Sequence, residues 1–204
     1  MLVFRQQKNA VKTLRDNLSF VVISSIFVFG LLAGSFSIGV CENEDFYGLR
    51  SYFDEYITFV KESNFSDLFL NSLFVFSLLI LLNYILGLCV IGNFISIFML
   101  LVFSFGVGSV SGFLYRAFSI NGIGFFALTV MPGLFLFCIN YLVSQKHSFE
   151  FSKKLFKLCK SENKVSVDFR IYSIKFVIHF ILVIIVSLVF AFFSNTFSDM
   201  FDFS

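Results

Sequence analysis

Charge is scarce in this chain. Asp, Glu, Lys and Arg make up 14% of the 204 residues, against about 25% in a soluble domain. Hydrophobic residues fill 58% of it and mean hydropathy is +0.91, more hydrocarbon than water could cover. A soluble globular domain, a coiled coil and a disordered chain are thereby excluded. The four cysteines, Cys41, Cys89, Cys138 and Cys159, are too scattered for a disulfide scaffold. A net charge of +2 with no basic domain offers nucleic acid nothing to bind.

Reactive groups are equally sparse. No C-x-x-C or H-E-x-x-H spacing offers a metal site, no G-x-S-x-G presents a nucleophile, and no P-loop cradles a nucleotide. No metal, cofactor or catalytic residue is expected, and the chain reads as a non-enzyme. An intramembrane enzyme would need a polar cluster at one depth, and a transporter subunit would need polar groups along a path.

What the chain has in abundance is uninterrupted apolar sequence. A spanning helix needs about 20 apolar residues, since each rises about 1.5 Å through about 30 Å of hydrocarbon. Leu18 to Val40 is one such run. Its length favours a retained helix over a cleaved leader, despite Ala33-Gly34-Ser35. Leu68 to Tyr115 carries no charge and is long enough for two, with a hairpin near Gly87, Gly92 and Asn93. These spans cover 68–87 and 93–115. A fourth covers 124–143, kinked by Pro132-Gly133, and a fifth covers 174–193. The runs do not alternate apolar and polar, which excludes a β-barrel. The expected fold is an all-α integral membrane bundle of five transmembrane helices, with a tail from 194.

The few charges orient it. Lys and Arg gather in short loops on the cytoplasmic side of the membrane. Residues 1–17 hold Arg5, Lys8, Lys12 and Arg15, and 144–173 hold Lys146, Lys153, Lys154, Lys157, Lys160, Lys164 and Arg170. Five spans put both segments on one side, with Lys175, leaving only Arg50, Lys61 and Arg116 elsewhere. The opposite side takes the acidic segment 41–67. The N-terminus is expected to be cytoplasmic, the C-terminus extracytoplasmic, and the protein multi-pass in the plasma membrane.

Both segments have helical periodicity. Phe46, Leu49, Phe53, Tyr56 and Val60 fall on one face of an outer amphipathic helix, and Phe46, Phe53 and Tyr56 are its candidate partner surface. Phe151, Leu155 and Leu158 oppose Lys153, Lys157, Lys160 and Lys164, as in a basic helix lying on an anionic inner leaflet.

Within the spans the signals are for packing. Gly30 and Gly34 form G-x-x-x-G, and Ser104, Gly108 and Gly112 form a small-residue stripe, both of which let helix backbones approach closely. Packing within one chain is the favoured use; the same stripes would suit a homo-oligomer. Asn71, Asn83 and Asn140 can add hydrogen bonds between helices. The ionisable candidates are His179, Lys175 at the cytoplasmic interface and Arg116 at the outer one. His179 reads as a helix–helix hydrogen-bonding residue.

From Asp67 to Leu155 the chain resembles the stage II sporulation protein M family of small integral membrane proteins. The features are an Asn-bearing second span, Leu86-Gly87 followed by Gly92, a glycine-rich third span, a restart at Gly122 and Gly124, Pro132, and Ser148-Phe149 ahead of Lys153 and Lys154. Asn93 and Gly133 depart from the family's usual proline and its His or Gln-Asn. The resemblance implies a non-enzymatic scaffold holding cell-envelope proteins at the membrane, with a protein partner on the extracytoplasmic side. The alternative is the membrane subunit of a transporter or ABC-type permease.

Overall fold

A computed structural model describes the backbone of residues 2–41, 43–160 and 168–201, and the side chains of 18–41, 50–160, 168–198, 200 and 201. The described residues are helical almost throughout, with no strand among them: α1 (Leu2–Val40), α2 (Asn43–Glu62), α3 (Phe65–Leu88), α4 (Gly92–Phe125), α5 (Met131–Cys159) and α6 (Phe169–Phe197). A π-helical turn, Phe126–Val130, joins α4 to α5, and a 3-10 turn, Ser198–Met200, follows α6. Four stretches are long and apolar enough to cross a membrane: Leu18–Val40, Phe65–Leu88, Gly92–Cys159 and Phe169–Phe197. The protein is therefore an all-helical chain suited to a lipid bilayer, where backbone polar groups must be satisfied within the helix.

The third stretch has 68 residues, which laid straight would reach about 100 Å. It turns instead at Ser119, whose φ of 50° and ψ of −128° are those of the first central residue of a type II′ turn. The two arms then run antiparallel. Gln145 Nε2 donates to the Ser96 carbonyl at 3.0 Å, and nearer the turn the Phe103 ring lies 5.7 Å from that of Phe137.

Residue pairs give the other directions. α3 runs parallel to α5, with Phe76 stacked on Phe137 at 4.1 Å and Asn83 bonded to Ser144 at 2.8 Å. α6 runs against both, Phe190 meeting Phe76 and Tyr172 meeting Tyr84 and Phe151. α1 packs parallel to α4 through the two expected stripes. A Cβ at Gly30 would fall inside the Ser104 hydroxyl, one at Gly34 would overlap the Phe105 carbonyl, and one at Gly108 the Leu31 carbonyl. At Gly112 the nearest atom would be the Ser35 carbonyl oxygen, at 2.9 Å. The small residues are thus spent on packing inside one chain.

Two expectations about the second half need correction. α5 does not end at Val143 but continues to Cys159, so the basic segment begins as the end of a bundle helix rather than as a separate surface helix. Ser144, Ser148 and Ser152 recur every fourth residue and are buried, as Gln145 is, so this polar run prolongs the inner face of α5. Phe151 is buried too, stacked on Tyr172 at 4.1 Å. Part of the expected loop, 161–167 with Lys164, lies outside the described residues. The irregularity expected at Pro132-Gly133 sits one turn earlier, as the π-turn. Pro132 opens α5, where its missing N–H costs least, and Gly133 is a contact glycine whose Cβ would lie 2.5 Å from that of Phe190.

The hairpin between α3 and α4 lies where expected. Cys89 N–H bonds the Leu86 carbonyl, Gly92 N–H the Cys89 carbonyl, both at 3.1 Å, and a Cβ at Gly92 would overlap the Leu86 carbonyl. At Gly87 a Cβ would overlap the Tyr172 hydroxyl.

Gly108→Ile should lower the free energy of unfolding by about 1–3 kcal/mol, because α4 must separate from the α1 backbone. Gly39→Ile, where an added Cβ meets nothing within 4 Å, should leave it unchanged. Unfolding titrations of both variants in mixed micelles check the pair, and equal losses would contradict the assignment.

Candidate functional site

Two places hold the polar and aromatic residues singled out from the sequence: the end of the bundle where α2 lies, and a polar layer toward the α3–α4 hairpin.

α2 crosses the end of the bundle at the Ser119 turn. Phe53 stacks on Phe113 of α4 with ring centroids 4.0 Å apart, and the Arg50 guanidinium sits 6.0 Å from the centre of the Phe118 ring. Lys61 Nζ donates to the Phe201 carbonyl at 2.6 Å, joining α2 to the segment after α6. Ile57 and Val60 are buried, and burial pushes the Tyr56 phenol up to about 12. Phe53 and Tyr56 therefore belong to the face that seals α2 onto the bundle, not to the outward partner surface expected of them. The periodicity defined an apolar face, and the bundle uses it. The side chain of Phe46 lies outside those described. What α2 leaves exposed is Tyr52, at 73%, with Glu55, Phe59 and Glu62. Arg50 and Asp54 pair along the helix at 3.5 Å.

Arg116 closes the same end from below. Its Nη1 donates to the carbonyls of Ile38 at 2.6 Å and Cys41 at 2.8 Å. These are acceptors at the end of α1, where the last carbonyls have no partner within the helix and the dipole is negative. A cation that looked like a boundary marker is a C-terminal cap.

The polar layer joins α3, α4, α5 and α6. Asn83 Nδ2 donates to Ser144 Oγ, which donates to the Tyr141 carbonyl at 2.8 Å. Ser96 Oγ donates to Gln145 Oε1, with Asn83 Oδ1 3.2 Å away. Gln145 Nε2 reaches the Ser96 carbonyl and, at 3.2 Å, Tyr141 Oη. Beside it, Asn140 grips His179 twice: its Oδ1 lies 2.6 Å from Nδ1, and its Nδ2 donates to the His179 carbonyl at 3.2 Å. The His147 ring lies 5.6 Å from that of His179, with its Nδ1 buried and unpartnered. Lys175, one turn before His179, is exposed. Asn71 is exposed as well and joins no helix-to-helix hydrogen bond among the described residues.

Chemically this layer holds amides, hydroxyls and two imidazoles. No serine hydroxyl bonds His179 among the described residues, and no three His, Cys, Asp or Glu side chains there converge as metal ligands. The four cysteines are free thiols, with Cys138 buried. Sequence reasoning anticipated Asn83, Asn140 and His179 as interhelical bonders. It missed Gln145, Ser96, Ser144 and Ser152, because ending the span at Val143 put three of them outside the bilayer. Ser152 closes the α3–α4 hairpin, donating to the Cys89 carbonyl at 2.8 Å and accepting from Asn93 N–H at 3.0 Å. The fourfold spacing of Ser144, Ser148 and Ser152 was the available signal.

No family model matches the chain, and neither a curated protein nor a solved structure does.

A double-mutant cycle on Asn140→Ala and His179→Ala should give a coupling of about 0.6–1.7 kcal/mol, the range for hydrogen bonds between membrane helices. Additive losses would mean that the pair contributes packing alone.

Proposed function

We propose that this protein is a membrane scaffold that performs no reaction of its own. Its helices cross the bilayer five times, counting the two arms that meet at Ser119 as separate spans, with the N-terminus cytoplasmic and the C-terminus extracytoplasmic. The observation that carries the reading is how the buried polar groups are used: Asn83, Ser96, Ser144, Gln145, Asn140 and His179 bond one another across helices. A transport path or catalytic site needs polar groups that meet a substrate. These meet each other, and so hold a frame in one register.

Five crossings agree with the charge distribution, since the basic segments 1–17 and 144–173 then share the cytoplasmic side and α2 lies on the other. On that side α2 is an outer plate, with Glu55 and Glu62 exposed and Tyr52 and Phe59 exposed along the rim it shares with a cleft between α3 and α4. This plate is where an extracytoplasmic partner would dock, an exposed aromatic ringed by carboxylates being the kind of anchor that interfaces use. The resemblance to the stage II sporulation protein M family points the same way, to a plasma-membrane protein that holds cell-envelope proteins in place.

A photo-crosslinking residue at Glu55 in native membranes should yield one discrete protein adduct, and Tyr52→Asp should cut its yield by at least about tenfold, a loss of 1.4 kcal/mol in binding. The protein should remain inserted. An adduct unaffected by Tyr52→Asp, or none at this position, would contradict α2 as the docking plate.

A further inference from the structure

α3 and α4 leave their shared hairpin in contact and then separate. Near the turn, Ser96 of α4 lies against Asn83 of α3. Toward the other end, α4 is held to α1 by the Gly30, Gly34, Gly108 and Gly112 contacts, backbone on backbone. Between α3 and α4 a cleft of about 540 Å³ remains. Its walls are Val75 on α3 and Val102, Gly106 and Val107 on α4. Leu134 and Phe190 form the floor, and Tyr56 and Phe59 of α2 the roof.

The cleft opens sideways at membrane depth. Val75 is 43% and Val102 49% exposed, and both lie inside helices apolar enough to cross a bilayer. Water does not fill a void walled by valine, leucine and phenylalanine, while hydrocarbon recovers the dispersion contacts an empty space forfeits. The volume falls within the range of small-molecule sites. The polar groups in the lining sit toward the roof and are uncharged: the Tyr52 and Tyr56 phenols and the Asn71 carboxamide, with the Ser72 hydroxyl already bonded to the Phe69 carbonyl. Such donors suit an ester carbonyl. Above them Arg50 is paired with Asp54, and the Lys61 ammonium, which donates to the Phe201 carbonyl, is outnumbered by the exposed carboxylates of Glu55, Glu62 and Asp67. The mouth is therefore acidic and disfavours an anionic headgroup.

We propose that this cleft is a lipid site that takes an acyl chain of a zwitterionic phospholipid from the leaflet α2 faces, with the ester region at Tyr56 and Asn71. The inference rests on the chain's place in a bilayer; the cleft shares Tyr52 and Phe59 with the docking plate, but its probes, Gly106 and Val75, lie off α2, so its failure and that of the scaffold reading are distinguishable. Gly106 offers a clean probe, because it lines the cleft and a Cβ there meets nothing within 4 Å.

The test uses the full chain reconstituted in vesicles of equal phosphatidylcholine and phosphatidylglycerol, extracted in mild detergent and weighed by native mass spectrometry. One phosphatidylcholine should remain per chain. Its occupancy should fall at least about tenfold, or 1.4 kcal/mol, in Gly106→Phe and in Val75→Phe, which fills the cleft from the opposite wall. Gly39→Phe, with equally open space but outside the cleft, should retain it. The proposal is overturned if no lipid remains, if phosphatidylglycerol is held equally well, if both cleft variants keep the lipid, or if a second copy of the chain is found in its place. Should Gly106→Phe not fold, Val75→Phe decides alone.

Discussion

In hydrocarbon nothing outside the chain satisfies a backbone N–H or C=O, and the layout of this molecule answers to that one constraint. Most of the described chain is helix because helix closes its own hydrogen bonds. Where helices stop, side chains from elsewhere supply what is missing. Arg116 takes carbonyls at the end of α1, and Ser152 serves a carbonyl and an N–H across the α3–α4 hairpin. Asp168 caps α6 by accepting from Ile171 N–H at 3.2 Å. The π-turn before Pro132 is treated alike, the Ser194 hydroxyl of α6 donating to the Thr129 carbonyl at 3.2 Å.

Because lipid is as apolar as leucine, burial gives these helices little reason to associate, and other forces divide the work. The α1–α4 seam uses small residues and close backbones. The α3–α5–α6 core uses flat rings, with Phe76 stacked on Phe137, Tyr84 on Tyr172 and Phe151 on Tyr172. Register is set by directional hydrogen bonds, which an apolar interface alone would leave free to slide. The seam has a geometric cost elsewhere: by drawing α4 toward α1 it opens the gap beside α3, where the lipid cleft lies.

Much of this was legible in the sequence, and the gaps have physical causes. Uncharged run length marked the apolar helices, and the spacing of Gly30, Gly34, Ser104, Gly108 and Gly112 marked the seam, because close approach leaves few residue types to choose from. The extension of α5 was hidden, since a hydropathy window reads Ser144, Gln145 and Ser148 as the end of an apolar run when they are polar residues turned inward on a continuing helix. The periodicity of α2 told which residues share a face but not what that face meets, so Phe53 and Tyr56 were assigned outward when the bundle had claimed them. Arg116 and the apolar restart at 124 placed a reversal within 116–123, but nothing in Phe118-Ser119-Ile120 marks its residue: there is no proline, and the positive φ falls on serine rather than on the nearby Gly122.

The arrangement stands or falls on which ends of the helices share a side. Single cysteines at positions 55, 119 and 157, placed one at a time in a cysteine-free background, can be labelled with a membrane-impermeant maleimide in sealed right-side-out vesicles. Five crossings predict labelling at 55 and 119 from outside and at 157 only after the vesicles are opened. Labelling of 157 together with 55 in the sealed state would contradict the account.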